Sequence, residues 1–142
     1  MGTQMRAVLI ALFMLGACAQ APNEPPSPTP AAIHLSGTKW VRVDDLNANP
    51  HGATMDFEAN RASGYTGCNR WTSEVTQNGE QLQFAMTAVT EMACGAEVQM
   101  ATERSFLAVI DAARYAHYDR DALVLLDAEQ NVIARFDSTL AQ

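Results

Sequence analysis

From residue 37 onward the chain carries short runs in which apolar and polar positions alternate, broken by Gly, Asn, Asp and Pro. Period-two alternation of this kind predicts half-buried strands. Gly37–Val43 is predicted as a first strand, with Trp40 as a core anchor, and Asn47-Ala48-Asn49-Pro50 breaks it. Ala53–Glu58 follows, with Met55 and Phe57 on one face, and Asn60-Arg61 turns the chain into Ala62–Thr66. Trp71–Thr76 and Gln81–Phe84 read as a hairpin about Asn78-Gly79, since Asn-Gly suits the positive φ of a tight hairpin turn. Only Glu97–Arg114 has a convincing helical period, with Met100, Leu107 and Ile110 on a stripe and Phe106 beside them. Tyr115–Tyr118, Ala122–Leu126 and Val132–Phe136 read as three closing strands, the last two joined by Ala128-Glu129-Gln130-Asn131. Strands, one helix, then more strands predict an α+β fold: a curved antiparallel β-sheet packed against one main α-helix.

The N-terminus has a different pattern. Arg6 precedes an uncharged apolar run of eleven residues, Ala7–Ala17. That is too short to span a bilayer and has the form of the apolar region of a signal peptide. It ends in Leu15-Gly16-Ala17-Cys18, which resembles the cleavage box of a bacterial lipoprotein. The resemblance implies cleavage before Cys18 and lipid on that residue. An ordinary secretory signal cut near Ala17 or Ala19 is the alternative. Ala19 stands where an Asp would signal retention at the inner membrane. The expected location is therefore the bacterial cell envelope, lipid-anchored, at the outer membrane facing the periplasm. Five of the six prolines fall between Pro22 and Pro30. Lacking an N–H, they exclude helix or sheet interior and predict an extended spacer. The expected organisation is a signal peptide over 1–17, a lipidated Cys with a Pro-rich tether over 18–34, and one domain over 35–142.

Composition narrows the function. The chain has 142 residues, 48% of them hydrophobic and 18% charged. This excludes disorder from end to end and a coiled coil. The formal net charge is −7, which leaves no basic surplus to displace counterions from phosphates, so nucleic acid is not an expected partner. The expected partners are the membrane, through lipid on Cys18, and an envelope protein.

One ordered set of residues is specific. Gly37-xx-Trp40 precedes Gly64-Tyr65-Thr66-Gly67-Cys68-Asn69, followed by Thr90-Glu91-Met92-Ala93-Cys94 and then by Glu103 in the predicted helix. This combination resembles the META (HslJ-like) domain family over roughly Leu35 to Leu140. The resemblance implies a curved antiparallel sheet with a helix and an association with stress tolerance, antibiotic sensitivity and, in some parasites, virulence. It carries no catalytic residue set. Trp71-Thr72-Ser73-Glu74 departs from the Gly- and Tyr-rich stretch common after the GCN motif, and Asn131 stands where Gly is common.

The candidate chemistry is sparse. With Cys18 lipidated, Cys68 and Cys94 remain, and an oxidising compartment favours a structural disulfide between them. Two buried free thiols, or a reactive thiol with a His partner, are the alternatives. Gly64 and Gly67 flank a sharp turn that either binds a small ligand or a partner, or positions Cys68. Glu103 lies on the apolar stripe, where a buried acid needs partners. Backbone N–H groups of the GCN loop or Arg70 would serve; a catalytic acid is the other reading. His34, His51 and His117 are scattered, and Asp44-Asp45 and Asp119-Arg120-Asp121 read as solvated turn charges. No metal and no cofactor is expected. The preferred function is a non-enzymatic, lipid-anchored envelope protein with a binding or structural role in stress or antibiotic tolerance. One alternative is a lipoprotein chaperone or pilot holding an apolar segment of a secreted partner, which predicts an open groove lined by Trp, Phe and Met. The other is a small hydrolase or redox enzyme, which predicts a pocket where Glu103, a histidine or a thiol converge.

Overall fold

In the computed structural model, residues 33–44 and 52–139 are described. The expectations for the signal peptide, Cys18, most of the tether, Asp45, the Asn47–Pro50 break and His51 lie outside them. Eight strands run in chain order: β1 (Lys39–Arg42), β2 (Thr54–Glu58), β3 (Arg61–Tyr65), β4 (Arg70–Asn78), β5 (Gln81–Val89), β6 (Tyr115–Asp119), β7 (Ala122–Leu126) and β8 (Val132–Ser138). Among the described residues a single helix, α1 (Glu97–Ala112), falls between β5 and β6. Every neighbouring pair is antiparallel, and β1 pairs with both β2 and β8, so the sheet closes into a barrel.

The expected architecture, a curved sheet packed against one main helix, is corrected by this closure. Strands dominate and close on themselves; the expected helix is present and packs Phe106 and Ile110 into the core, but it does not cover one face of an open sheet. The alternation along each strand is the same in an open sheet and a barrel. What distinguishes them is the pairing of Trp40, Val41 and Arg42 with Ser138, Asp137 and Phe136 across nearly the whole domain.

The inward positions fill the barrel. Met55 and Phe57 on β2, Trp71 and Val75 on β4, Leu123 and Leu125 on β7, and Ala134 and Phe136 on β8 are buried in one apolar cluster. Ile33 and Leu35, ahead of β1, join them. Trp71 meets Phe106 of α1 edge-on at 5.1 Å between ring centres. β7 departs from alternation: all five of its residues are buried, as its uninterrupted apolar sequence would suggest.

The wall is weakest between β5 and β6. They pair at Gln81–Tyr115 alone, through Leu82 N–H to the Arg114 carbonyl (2.9 Å) and Ala116 N–H to the Glu80 carbonyl (2.8 Å). Beyond that point β5 continues to Val89 with β4 on one side and, among the described residues, no strand on the other. α1 runs back beside this stretch. It buries Thr102, Phe106, Val109 and Ile110, a stripe at helical spacing. Met100, expected on that stripe, is exposed.

Local chemistry fixes the turns. Ala59, Arg120 and Gln130 adopt positive φ at the β2–β3, β6–β7 and β7–β8 connections, and Gly79 does so at β4–β5. In the last hairpin the strained position is Gln130, not Asn131; Asn131 contributes its side chain instead. Asp127 Oδ1 accepts the N–H groups of Asn131 (2.8 Å) and Glu129 (3.0 Å), while Asn131 Nδ2 donates to Asp127 Oδ2 (3.1 Å). These bonds, led by the Asn131 side chain, hold the Asp127 carboxyl below the ordinary aspartate value of 3.8. Asp119 is likewise held down, by its bond to Arg135.

A depressed carboxyl stabilises the fold above its unfolded pKa, and that contribution is lost as pH falls through the folded value. Asp127→Ala should therefore lower the melting temperature at pH 7. The gap from wild type should shrink as pH is taken below 3.8 in a thermal melt series. A gap independent of pH would mean that the charge is not what matters.

Candidate functional site

The motif residues from Gly64 to Cys94, with Glu103, lie around one end of the barrel, where the β3–β4 loop, the 90–96 segment and the first half of α1 meet. Gly64 opens the site by allowing close approach. A Cβ at this position would sit 2.3 Å from the Thr54 carbonyl oxygen, a backbone atom that cannot yield cheaply. That same carbonyl accepts the Trp71 indole N–H (3.0 Å), and Thr54 Oγ1 accepts the Tyr65 N–H (3.0 Å). The chain then turns through Thr66–Asn69, closed by the Thr66 N–H to the Asn69 carbonyl at 2.8 Å, with Gly67 at φ +104.

Asn69 is the hub. Buried at 3% exposure, it uses both ends of its amide. Its Oδ1 accepts the Thr90 hydroxyl (2.9 Å) and the Met92 N–H (2.8 Å). Its Nδ2 reaches the Met92 carbonyl (3.4 Å) and Glu103 Oε1 (3.3 Å). Glu103, half-buried on α1, faces the turn with Oε2, which accepts the Asn69 N–H (3.1 Å) and the Thr66 hydroxyl (2.5 Å). Thr90 Oγ1 also accepts the Arg70 N–H (3.1 Å). One carboxylate and one amide thus tie the loop to both the helix and the 90–94 segment.

A disulfide joins Cys68 to Cys94 beside this network, with a Cα–Cα distance of 5.9 Å. Cys68 is buried and Cys94 half-buried. Of the two partners proposed for Glu103, the loop N–H is the one used. Arg70 is exposed and offers the network its backbone, not its guanidinium. Met92 likewise contributes backbone while its side chain is 63% exposed, and Ala93 is exposed. Gly37 and Trp40 lie elsewhere. Gly37 turns the chain ahead of β1 at φ +81, and the Trp40 indole donates to Thr38 Oγ1 (2.7 Å).

Two participants are absent from the sequence reading. Thr66 lies inside the motif, but its hydroxyl gave no signal apart from its neighbours. Arg42 is buried at 6% exposure; Asp44 binds its guanidinium at 2.8 and 3.3 Å, and it donates to Ser105 Oγ of α1 (3.0 Å). Asp44 is exposed in a turn, as expected, and in addition pairs with this buried guanidinium. An arginine at an inward-reading strand position gives no sign in sequence of which acid will meet it. His34 is exposed and its carbonyl accepts the Tyr118 hydroxyl (2.9 Å), while His117 is half-buried on β6. Among the described residues no three His, Cys, Asp or Glu side chains gather as a metal site would require, and no helix is long and apolar enough to cross a membrane.

The META domain family model matches residues 33–139, the entire described domain. The chain belongs to the META domain family. Three solved structures are similar to this META domain in fold. An NMR structure of a protein from Burkholderia xenovorans has a TM-score of 0.59 at 21% identity, covering 84% of this chain and 97% of that one. A second NMR structure has a TM-score of 0.59 at 18% identity, covering 76% and 95%. A crystal structure of a DUF4847 family protein from Bacteroides vulgatus has a TM-score of 0.55 at 12% identity, covering 72% and 93%. No curated protein matches the sequence.

The bonding around Glu103 predicts how the META domain responds to change. Glu103→Ala removes the carboxylate acceptor from the Thr66 hydroxyl and the Asn69 donors, leaving them the Asn69 carbonyl, Thr66 Oγ1 and the Met92 carbonyl, and should cost about 1–3 kcal/mol in urea unfolding. Glu103→Gln keeps one oxygen for Thr66 and the Asn69 N–H and should cost less. Reduction of Cys68–Cys94 should release about 3 kcal/mol of chain-entropy stabilisation. Asn69 still holds Met92 after reduction, so near-ultraviolet circular dichroism should show a folded protein with a lowered melting temperature. Loss of the folded spectrum at room temperature would contradict that ordering of the two ties.

Proposed function

We propose that this META-domain chain is a non-enzymatic protein of the bacterial envelope, anchored by lipid on Cys18 and acting by binding in stress or antibiotic tolerance. The observation that carries the non-enzymatic part is the occupancy of Glu103. Its two oxygens accept three bonds from Thr66 and Asn69, so the acid acts as a tie between helix and loop. A general acid or base must exchange a proton with substrate, and this carboxylate is directed into the protein. The disulfide takes both cysteines of the domain out of nucleophilic chemistry. The anchoring part rests on Leu15-Gly16-Ala17-Cys18 after the apolar run, and on the Pro-rich segment that separates Cys18 from the domain.

Two measurements test this reading. Cys18→Ser should move the protein from the membrane fraction to the soluble fraction, or leave the precursor uncleaved. Normal processing with unchanged membrane association would sink the anchor. In a deletion strain that has lost tolerance to an envelope stress, Glu103→Gln should restore tolerance in proportion to the amount of folded protein. A folded, abundant Glu103→Gln protein that restores nothing would make the acid functional and the protein an enzyme candidate.

A further inference from the structure

The barrel has one interrupted stretch of wall, and its chemistry defines what would complete it. Leu82 is the last β5 residue whose N–H finds a partner on this side, the carbonyl of Arg114 just ahead of β6. Phe84, two residues on, presents its backbone N–H and C=O on the same edge, because strand groups repeat with period two. Among the described residues no strand pairs with that edge from Phe84 to Val89. α1 stands opposite, leaving a cleft of about 390 Å³ whose lining includes Phe84, Met86, Val89, Leu107, Ile110 and Asp111. Six of its eight lining residues are apolar. Met86 is 80% exposed and held at φ +52 where β5 is bulged against β4. Backbone held in such a region by a non-glycine residue is costly and persists only where its surroundings fix it.

We propose that this cleft binds a short extended segment of a partner polypeptide, added as a strand to the β5 edge, with apolar side chains against Leu107 and Met86 and a basic residue against Asp111. The main-chain groups of Phe84 require a partner with a free backbone donor and acceptor, which an extended peptide supplies. The apolar walls select its side chains, and methionine adapts to varied shapes. Charge selects its basic end: Asp111 is exposed at the cleft and the chain carries −7 overall. The bulge at Met86 breaks the edge into short pieces, which disfavours pairing with the long edge of a second copy. This inference rests on the binding role proposed above and supplies the class of partner for it.

The test uses the purified full-length chain. The probe is a capped heptapeptide of alternating valine and threonine ending in lysine, and its control is the same peptide N-methylated at alternate residues. With the probe, hydrogen exchange at the Phe84 amide should slow by about tenfold or more, and NMR shift changes should concentrate on β5 and α1. The methylated control should do neither. Asp111→Lys should weaken the probe by about tenfold, and Met86→Gly, which relieves the positive φ, should weaken it while retaining the melting temperature. Unchanged β5 amides, or equal binding of the methylated control, would overturn strand addition. Phe84 protection that rises with protein concentration in the absence of peptide would overturn it in favour of self-association. Peptide binding is measured off the membrane, so it can fail while Cys18→Ser still behaves as an anchor mutant, and the reverse.

Discussion

The position of α1 depends on the bonds that Glu103 makes. A strand in a barrel is held by a ladder of backbone bonds along both edges. α1 lies across a cleft from the unpaired part of β5 and has no such ladder. Its register against the barrel is therefore set by side chains, and the directional ones are few: Glu103 to Thr66 and Asn69, and Ser105 to the buried Arg42. Phe106 packing on Trp71 supplies apolar area, but apolar contact is not directional and would tolerate sliding. A half-buried carboxylate with three fixed donors tolerates much less.

That constraint accounts for the spacing of the motif residues. Asn69 must offer its N–H and amide nitrogen to the helix while its amide oxygen holds Thr90 and Met92. Few other side chains carry a donor and an acceptor on so short a stem. The disulfide then closes the same junction covalently, joining the loop to the segment that leads into α1. The two ties are redundant in connectivity and different in kind. One depends on redox conditions, and the other on hydrogen bonds shielded from water.

The short pairing of β5 with β6 has a consequence for the surface. A fully paired barrel exposes no edge, whereas this one retains an edge on β5 beside an apolar cleft. The bulge and the positive φ of Met86 interrupt that edge, which limits uncontrolled pairing. Clamping at the Glu103 end and openness beside Met86 belong to the same design, since the helix must be fixed somewhere if it is not fixed by a sheet ladder.

Much of the local structure is legible in the sequence, because it is set by neighbours along the chain. Alternation placed the strands, Asn78-Gly79 marked a hairpin, and the break in period at Glu97 marked the helix. The motif from Gly64 to Cys94 with Glu103 stood out through its resemblance to the META family, while its residue types left binding and catalytic uses open. Closure was not legible: β1 meets β8 across the length of the domain, and an inward residue reads the same in an open sheet. Met100 was misplaced because helical spacing leaves two overlapping stripes, and only the barrel decides that Thr102 and Val109 face inward. Arg42 and Asp44 read as separate charges until folding desolvated the guanidinium and made their pairing necessary. Sequence determines which conformations each segment prefers. The tertiary structure decides which edges meet, because pairing between distant segments is settled by the packing of the whole core.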